Sequence, residues 1–365
     1  MSENLTLTNK NSRIQYIDAL RGFTMILVVF AHVETFGFFN FSYETFLGKF
    51  FQSFRMPLFF FISGFIAYKA GRVWSRDVVW QLTKKKLRIQ IIPALVIGLI
   101  YTCLYLRKDF HFFLADPSKA GYWFTLALLE MFLLYYFLSW GAYRIAKKFN
   151  TSDSTISVCV LVAAATCLYL LKLPFKTIPV LDVIGNYSSC HYTFNYFLFF
   201  VFGVLARQFS DTFISIVENK YASAICVILF LLGFYGFYQL DNNIDQSDLF
   251  WKVALTIIES LVATLGVVVV YSYFRKYAES FDCTNRCGRV LQFIGRRTLD
   301  IYLLHYFFLP HLPQIGDFLK MSNNVVVELL LGLGLSLLII GVCLCISNVI
   351  RISPFLGKYL FGARE

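Results

Sequence analysis

The run IDALRGFTMILVVFAHVETFG, residues 17–37, is long enough to cross a lipid bilayer and is apolar over most of its length. A helix rises about 1.5 Å per residue, so about 20 apolar residues span the hydrocarbon core. Among the residues that interrupt this apolar character, Arg21 lies near the start of the run and His32 near its end, at different depths. The run therefore predicts a transmembrane helix that carries polar side chains inside the membrane.

The rest of the chain repeats this pattern. Of its 365 residues, 58% are hydrophobic and only 15% are charged, and the mean hydropathy is +0.63. An ordinary soluble domain would have about a quarter of its residues charged. The apolar runs lie at about 17–37, 46–68, 89–106, 122–142, 155–171, 192–208, 221–240, 251–274, 298–316 and 324–350. We predict an all-α polytopic integral membrane protein with about ten transmembrane helices.

The distribution of basic residues predicts the orientation of these helices. Most of the 33 Lys and Arg fall in the segments that lie on one side if the N-terminus is cytoplasmic, so we expect both termini in the cytoplasm. The net charge of +11 then reflects orientation and contact with membrane lipids, and we expect no nucleic acid partner. We expect residues 1–16 to be a short cytoplasmic segment that is retained, because the apolar run after it is followed by no cleavage signal.

No linker or internal repeat divides the sequence, so we predict a single transmembrane domain over residues 1–365. The stretch between the fifth and sixth runs, residues 173–191, could hold a re-entrant piece or a short helix on the outer face. An oligomer is possible, but nothing in the sequence indicates one. Cys283 and Cys287 do not have zinc-site spacing, and most other cysteines lie inside spans, so we expect no metal site.

Charged side chains inside the membrane are expensive unless they are paired or face a hydrated cavity, which makes each a functional candidate. Arg21 and His32 lie ~16 Å apart along the first helix and within roughly 20° of the same face. A cation and a titratable imidazole on one face suit a path across the membrane. The alternative is structural: Arg21 anchors at the interface beside Asp18, and His32 is a packing residue.

Further candidates lie on other spans. The second span carries Arg55, followed by Pro57 and Ser63, and the basic loop after it ends in KKKLRIQIIP, residues 84–93, where Arg88 is placed to face inward. Besides giving the positive-inside signal, such a cluster would suit a ligand with several phosphates.

The fourth span has Trp123 at its outer end and Glu130 about two turns deeper, where Glu130 could pair with Arg55. Glu259 and His305 complete the set of intramembrane candidates, His305 lying near the middle of the ninth span. A lone histidine there is more often a packing residue, so His305 is a secondary candidate. Motifs of soluble hydrolases and nucleotide-binding enzymes are absent.

The segment IDALRGFTMILVVFAH, residues 17–32, in which ten residues separate Arg21 from His32, resembles the first-helix signature of the acyltransferase family 3 membrane acyltransferases. Four further segments follow in the order of that family. They are PLFFFISGF (57–65), KKKLRIQIIP (84–93), WFTLALLEMF (123–132) and IYLLH (301–305). The resemblance covers the whole chain.

This resemblance implies a bacterial inner-membrane enzyme that moves an acyl group, commonly acetyl from acetyl-CoA, onto a hydroxyl of a surface or exported glycan. The partners would be acyl-CoA as donor substrate and a glycan or lipid-linked saccharide as acceptor, with no bound cofactor. By resemblance, His32 is the catalytic histidine and Arg21 its essential partner, with Arg55 and Arg88 as substrate-binding candidates.

As a mechanistic hypothesis, His32 acts as general base on the acceptor hydroxyl or carries the acyl group transiently, while Arg21 orients the thioester end of the donor. Glu130 would orient His32 or bind acceptor hydroxyls. We add Ser63, Trp123 and His305 as substrate-binding candidates. The competing interpretation is a proton-coupled transporter or flippase of a lipid-linked sugar, because a polar stripe through a helical bundle would serve that function too.

Overall fold

The computed structural model describes residues 14–40, 45–244 and 248–361, and every regular element in them is helical. Of the predicted cytoplasmic segment 1–16, residues 1–13 lie outside the described residues. The first nine α-helices are α1 (Gln15–His32), α2 (Phe46–Ala67), α3 (Arg76–Lys86), α4 (Ile92–Ile100), α5 (Phe110–Ala115), α6 (Trp123–Phe149), α7 (Asp153–Thr177), α8 (Pro179–Tyr187) and α9 (Cys190–Gln208). The others are α10 (Ser210–Glu218), α11 (Lys220–Asn243), α12 (Leu249–Lys276), α13 (Arg286–Arg296), α14 (Thr298–Leu304), α15 (Pro313–Ser322), α16 (Val325–Ile350) and α17 (Pro354–Phe361).

Within the described ranges, eight helical segments are long and apolar enough to cross a membrane. A ninth span forms if α8 and α9, which are bent by 74° at the break between them, are counted together. These findings confirm the predicted class, an all-α polytopic membrane protein. The short helix α8 lies within the stretch 173–191, for which a short helix or a re-entrant piece was expected, while α7 extends into its start and α9 begins at its end.

The predicted ninth span, 298–316, is not one continuous helix. Helix α14 ends at Leu304, a 3₁₀ turn covers His305–Phe308, and α15 begins only at Pro313. The reason lies in the sequence LPHLP, residues 309–313, because proline lacks an N–H and fixes its own φ. The chain instead forms a short non-helical connection, in which the N–H of Leu312 donates to the carbonyl of Gly37 at 2.8 Å. The prediction of a continuous helix in this segment is therefore wrong.

Two pairs of helices touch backbone to backbone at glycines. Gly22 on α1 lies against the backbone of Leu291 and Gly295 on α13, and a Cβ atom on Gly295 would overlap with the carbonyl of Asp18. Gly64 on α2 meets α9 in the same way, against Phe200. Small residues allow this close approach in membranes, where packing and not water exclusion holds helices together. The contact between Gly22 and Gly295 holds α13, and α14 that follows it, beside the face of α1 that carries its polar residues.

Candidate active site

A cavity of about 510 Å³ lies between α1, α2, α3 with the π-helical turn that follows it, α6 and α14. Apolar side chains such as Met25, Phe59 and Leu128 form much of its wall. Apart from tyrosine and tryptophan, the polar and charged residues in its lining are Arg21, His32, Arg55, Ser63, Lys69, Arg72, Lys85, Lys86, Gln90, Thr125 and Thr298. The cavity thus joins the predicted cytoplasmic side of the bundle to the end of α1 that carries His32.

The charges around this cavity all have one sign. Six cations line it, and no Asp or Glu belongs to its lining in the part of the chain that the structure describes. Four of the cations, Lys69, Arg72, Lys85 and Lys86, come from the connection after α2 and from α3, on the predicted cytoplasmic side. Oriented cations around a low-dielectric space attract and hold anions. The cavity is therefore suited to a ligand that carries several negative charges.

At the other end of the cavity, two polar side chains among the described residues contact His32. Its Nδ1 lies 2.7 Å from Nε2 of His305, and its Nε2 lies 3.2 Å from the hydroxyl of Tyr306. Nδ1 of His305 in turn lies 3.1 Å from the carbonyl oxygen of Ile301, one turn earlier. His305 was a secondary substrate-binding candidate, but it is fully buried behind His32 and does not line the cavity.

Gly121 brings a backbone carbonyl to the same place. Its oxygen accepts hydrogen bonds from the hydroxyl of Tyr302 at 2.8 Å and from that of Tyr306 at 3.2 Å. Gly121 has φ +96°, in the region that favours glycine. Sequence reasoning did not identify Gly121, Tyr302 or Tyr306. The two tyrosines flank the predicted His305 in TLDIYLLHYFF, but tyrosine is common in apolar spans and gave no separate signal.

The loop that ends at Gly121 is held by a buried lysine. Lys119 is 1% exposed, and its ammonium donates to the carbonyls of Leu114 at 2.7 Å, Asp116 at 2.9 Å and Asn186. Burial lowers the pKa of Lys119, while Asp116 and Glu130 oppose that shift. Three carbonyl partners satisfy all three ammonium donors. Lys119 therefore ties this loop to the segment before α9 and fixes Gly121 at the site.

Arg21 connects the cavity to α14. Its guanidinium donates to the hydroxyl of Thr298 at 2.9 Å and lies 3.9 Å from the carboxylate of Asp18, which also contacts Arg296 at 3.4 Å. Arg21 therefore pairs with Asp18, as expected if Arg21 were only an anchor at the membrane interface. Because Arg21 also lines the cavity, the pairing does not remove it from the site.

Arg55 carries a buried N–H without a protein acceptor. Among the described residues, no group accepts a hydrogen bond from its Nε, although Arg55 lines the cavity. The predicted partner, Glu130, is bonded elsewhere: it accepts from the backbone N–H of Ser189 at 3.0 Å and from the hydroxyl of Thr193 at 2.6 Å. A buried donor without an acceptor is unusual in folded proteins, which marks Arg55 as a candidate for ligand binding.

The remaining predicted residues divide into two groups. Ser63 and Trp123 line the cavity, with the Ser63 hydroxyl donating to the carbonyl of Phe59 and the Trp123 ring stacked on Tyr192 at 3.9 Å. Glu130 and Arg88 do not line it, and Arg88 is exposed.

The inward position expected for Arg88 belongs to Lys86, two residues earlier, whose ammonium lies 3.3 Å from the centre of the Phe132 ring. The reason is helical phase. In an ordinary α-helix, side chains two residues apart are rotated by about 200° around the helix axis, so Arg88 and Lys86 face opposite sides. The π-helical turn Leu87–Ile91 widens the helix locally.

Comparison with known proteins agrees with the resemblance seen in the sequence. The family model for an acyltransferase domain matches residues 14–348, which is nearly the whole chain. No curated protein and no solved structure matches the chain. The matched segment contains all the residues that line the cavity. The chain therefore belongs to acyltransferase family 3 and is a multi-pass membrane O-acyltransferase.

Proposed function

We propose that this enzyme transfers an acetyl or other short acyl group from acyl-CoA to a hydroxyl of a cell-surface or exported carbohydrate, in the cytoplasmic membrane of a bacterium. One observation carries the proposal: a cavity lined by six cations and no carboxylate, within the described residues, leads to His32. CoA is a polyphosphate with a thioester at the far end of a flexible arm. Its phosphates suit the cations, and its arm suits the apolar wall.

The cations on the predicted cytoplasmic side bind the phosphates in this proposal. Lys85 and Lys86 lie at the end of α3, and Lys69 and Arg72 follow α2, so two connections supply charge from two sides. Lysine and arginine bind phosphate through charge-assisted hydrogen bonds, which are stronger than neutral ones. Arg21, further along α1, orients the pantetheine arm and the thioester.

His32 is the general base. It accepts the proton of the acceptor hydroxyl while the hydroxyl oxygen attacks the thioester carbonyl, and then returns that proton to the sulfur as the carbon–sulfur bond breaks. The products are the carbohydrate ester and CoA with a free thiol, so the proton count balances. Transfer through an acyl-His32 intermediate would give the same products in two steps.

Arg55 stabilises the negative charge that develops on the carbonyl oxygen during this attack. Its buried Nε–H has no protein acceptor among the described residues, so it can donate to the oxyanion. A donor already in place for the transition state commonly contributes about 10²–10³-fold in rate. This role differs from the ion pair with Glu130 that the sequence suggested.

The test is acetyl transfer from radiolabelled acetyl-CoA into glycan by membranes that contain the enzyme. Equal amounts of wild type, His32→Ala and Arg21→Ala are compared, with His311→Ala as the matched control. His311 packs on Phe39 outside the cavity lining. We expect label in glycan and release of thiol with wild type and His311→Ala only. Full transfer by a correctly assembled His32→Ala would refute the mechanism, and no consumption of acetyl-CoA with any glycan would favour the transporter.

A further inference from the structure

We infer that His305 is a positioning residue: together with the carbonyl of Ile301, it holds His32 in the tautomer whose Nε2 carries no proton. The inference rests on the proposed function for its catalytic meaning, because Nε2 is then the nitrogen that accepts the substrate proton. Its structural content, the tautomer of one ring, can be tested without any measurement of transfer.

A backbone carbonyl holds His305 in one tautomer. Its Nδ1 lies 3.1 Å from the carbonyl oxygen of Ile301, and a carbonyl oxygen can only accept a hydrogen bond. Nδ1 of His305 must therefore carry the hydrogen. In a neutral imidazole the other nitrogen is then an acceptor, so Nε2 of His305 presents a lone pair. His305 is fully buried, which favours the neutral ring.

The tautomer of His305 determines that of His32. Nε2 of His305 lies 2.7 Å from Nδ1 of His32, and since it is an acceptor, Nδ1 of His32 must donate. The two rings are inclined by only 14° and their centres are 4.9 Å apart. The distance between the two nitrogens is much shorter than the distance between the ring centres, and the ring planes are nearly parallel. The rings therefore meet edge to edge, which is the geometry of an N–H···N hydrogen bond in the ring plane. Nε2 of His32 is left with its lone pair.

Tyr306 fits this arrangement and keeps the lone pair accessible. Its hydroxyl lies 3.2 Å from Nε2 of His32 and 3.2 Å from the carbonyl of Gly121, so it has two acceptors within reach. In the empty site the single O–H is shared between Nε2 and the carbonyl of Gly121. When a substrate hydroxyl takes that place, the O–H turns to Gly121. The base is thus satisfied in both states, and no buried donor is lost.

The arrangement also defines the proton path. The proton of the substrate hydroxyl moves to Nε2 of His32, and the resulting imidazolium keeps its Nδ1–H bond to His305. The same proton then moves to the sulfur of the leaving CoA, which restores neutral His32. His305 takes up no proton at any step, because its lone pair already accepts from His32. Its effect is exerted entirely through the orientation and tautomer of His32.

The test uses the tautomer directly. The chain has five His residues, so full-length enzyme in lipid bilayers with ¹⁵N-labelled histidine gives few imidazole signals. The His32 signals are identified by their loss in His32→Gln. At neutral pH we expect a protonated Nδ1 and an unprotonated Nε2 for His32 in wild type. A free imidazole prefers the opposite tautomer, so a protonated Nε2 in wild type would overturn the inference.

Two substitutions of His305 separate positioning from simple packing. The His305→Gln side chain can accept from His32 through its amide oxygen and donate to Ile301 through its amide nitrogen, whereas His305→Phe fills the space without an acceptor. We expect the tautomer to be kept in His305→Gln and lost in His305→Phe. The transfer rate should fall by about 10²-fold or more in His305→Phe, and by less than about 10-fold in His305→Gln.

The outcomes distinguish this inference from the proposed function. An unchanged His32 tautomer in folded His305→Phe would refute the inference, whatever the transfer activity. The expected tautomers without any consumption of acyl-CoA would refute the function and leave the inference standing. If His305→Phe does not assemble, the wild-type and His305→Gln spectra still decide, and His311→Phe serves as the control that should change neither readout.

Discussion

Gly121 and Tyr306 are in such close contact that a Cβ atom at position 121 would overlap with the phenol ring. The carbonyl of Gly121 accepts from the Tyr306 hydroxyl, which also contacts Nε2 of His32. A loop glycine just before α6 thereby contributes to the surroundings of the proposed base. The contact explains why a residue without a side chain belongs to the site.

Gly121→Ala should impair both assembly and transfer. The new methyl group would displace the Tyr306 ring, and alanine is strained at φ +96°. We expect a loss of roughly 1–3 kcal/mol in stability and at least a tenfold lower transfer rate, measured by thermal unfolding and by label transfer. Gly236→Ala on α11 is the control, because nothing lies within 4 Å of its Cβ position. An active, stable Gly121→Ala would show that the Tyr306 contact does not matter.

Lys86 and Arg88 offer a direct test of the cavity. Lys86 lines it and Arg88 is exposed outside it, although the two residues belong to the same basic cluster. Lys86→Gln should raise the KM for acyl-CoA by about 10- to 100-fold with kcat nearly unchanged, because one charged hydrogen bond contributes about 1.5–3 kcal/mol. Arg88→Gln should leave KM within about twofold. A raised KM in Arg88→Gln and an unchanged KM in Lys86→Gln would instead place the phosphate-binding cation at Arg88, as the sequence alone led us to expect.

Glu130 should prove structural. Its carboxylate accepts from Ser189 and Thr193, which joins α6 to the start of α9. Glu130→Gln keeps one acceptor oxygen, so we expect a loss of about 1–3 kcal/mol in stability and a transfer rate within about threefold of wild type at a temperature where the variant is folded. Thr193→Val, which removes one donor to the same carboxylate, should act in the same way. A rate reduced by more than about 100-fold without loss of stability would instead make Glu130 catalytic.

The crossing of α1 and α13 should tolerate no side chain. A Cβ atom on Gly295 would overlap with the carbonyl of Asp18, and only movement of a helix backbone could relieve this. Gly295→Ala should lower stability by about 1–3 kcal/mol despite alanine's higher helix propensity. Gly341→Ala on α16, with open space at its Cβ position, should be neutral or stabilising. The measurement is thermal unfolding of both variants in the same lipid. If Gly295→Ala were as stable as Gly341→Ala, helix propensity and not close packing would govern this position.

Much of the site was visible in the sequence. Arg21 and His32 share one face of a helix, a relationship that follows from residue spacing alone, and both line the cavity. Arg55 was found for a related reason, because a charged side chain is costly at bilayer depth, and it lines the cavity together with the predicted Ser63. The observed partners of Glu130 and the positions of Arg88 and His305 outside the cavity lining differ from those expected, since each depends on the face that a helix presents to its neighbours.

The sequence by itself determined that this protein is a helical membrane protein and which intramembrane polar residues needed an explanation. Length, hydropathy and spacing are local properties, and the bilayer acts on them locally. Only the tertiary structure decided that His32 meets His305, which is 273 positions away along the chain. That contact exists because Gly22 and Gly295 let α13 approach α1, and because the chain breaks between α13 and α14 and again after α14. Neither the angle between two helices nor the face they share is encoded in the pattern of either helix alone.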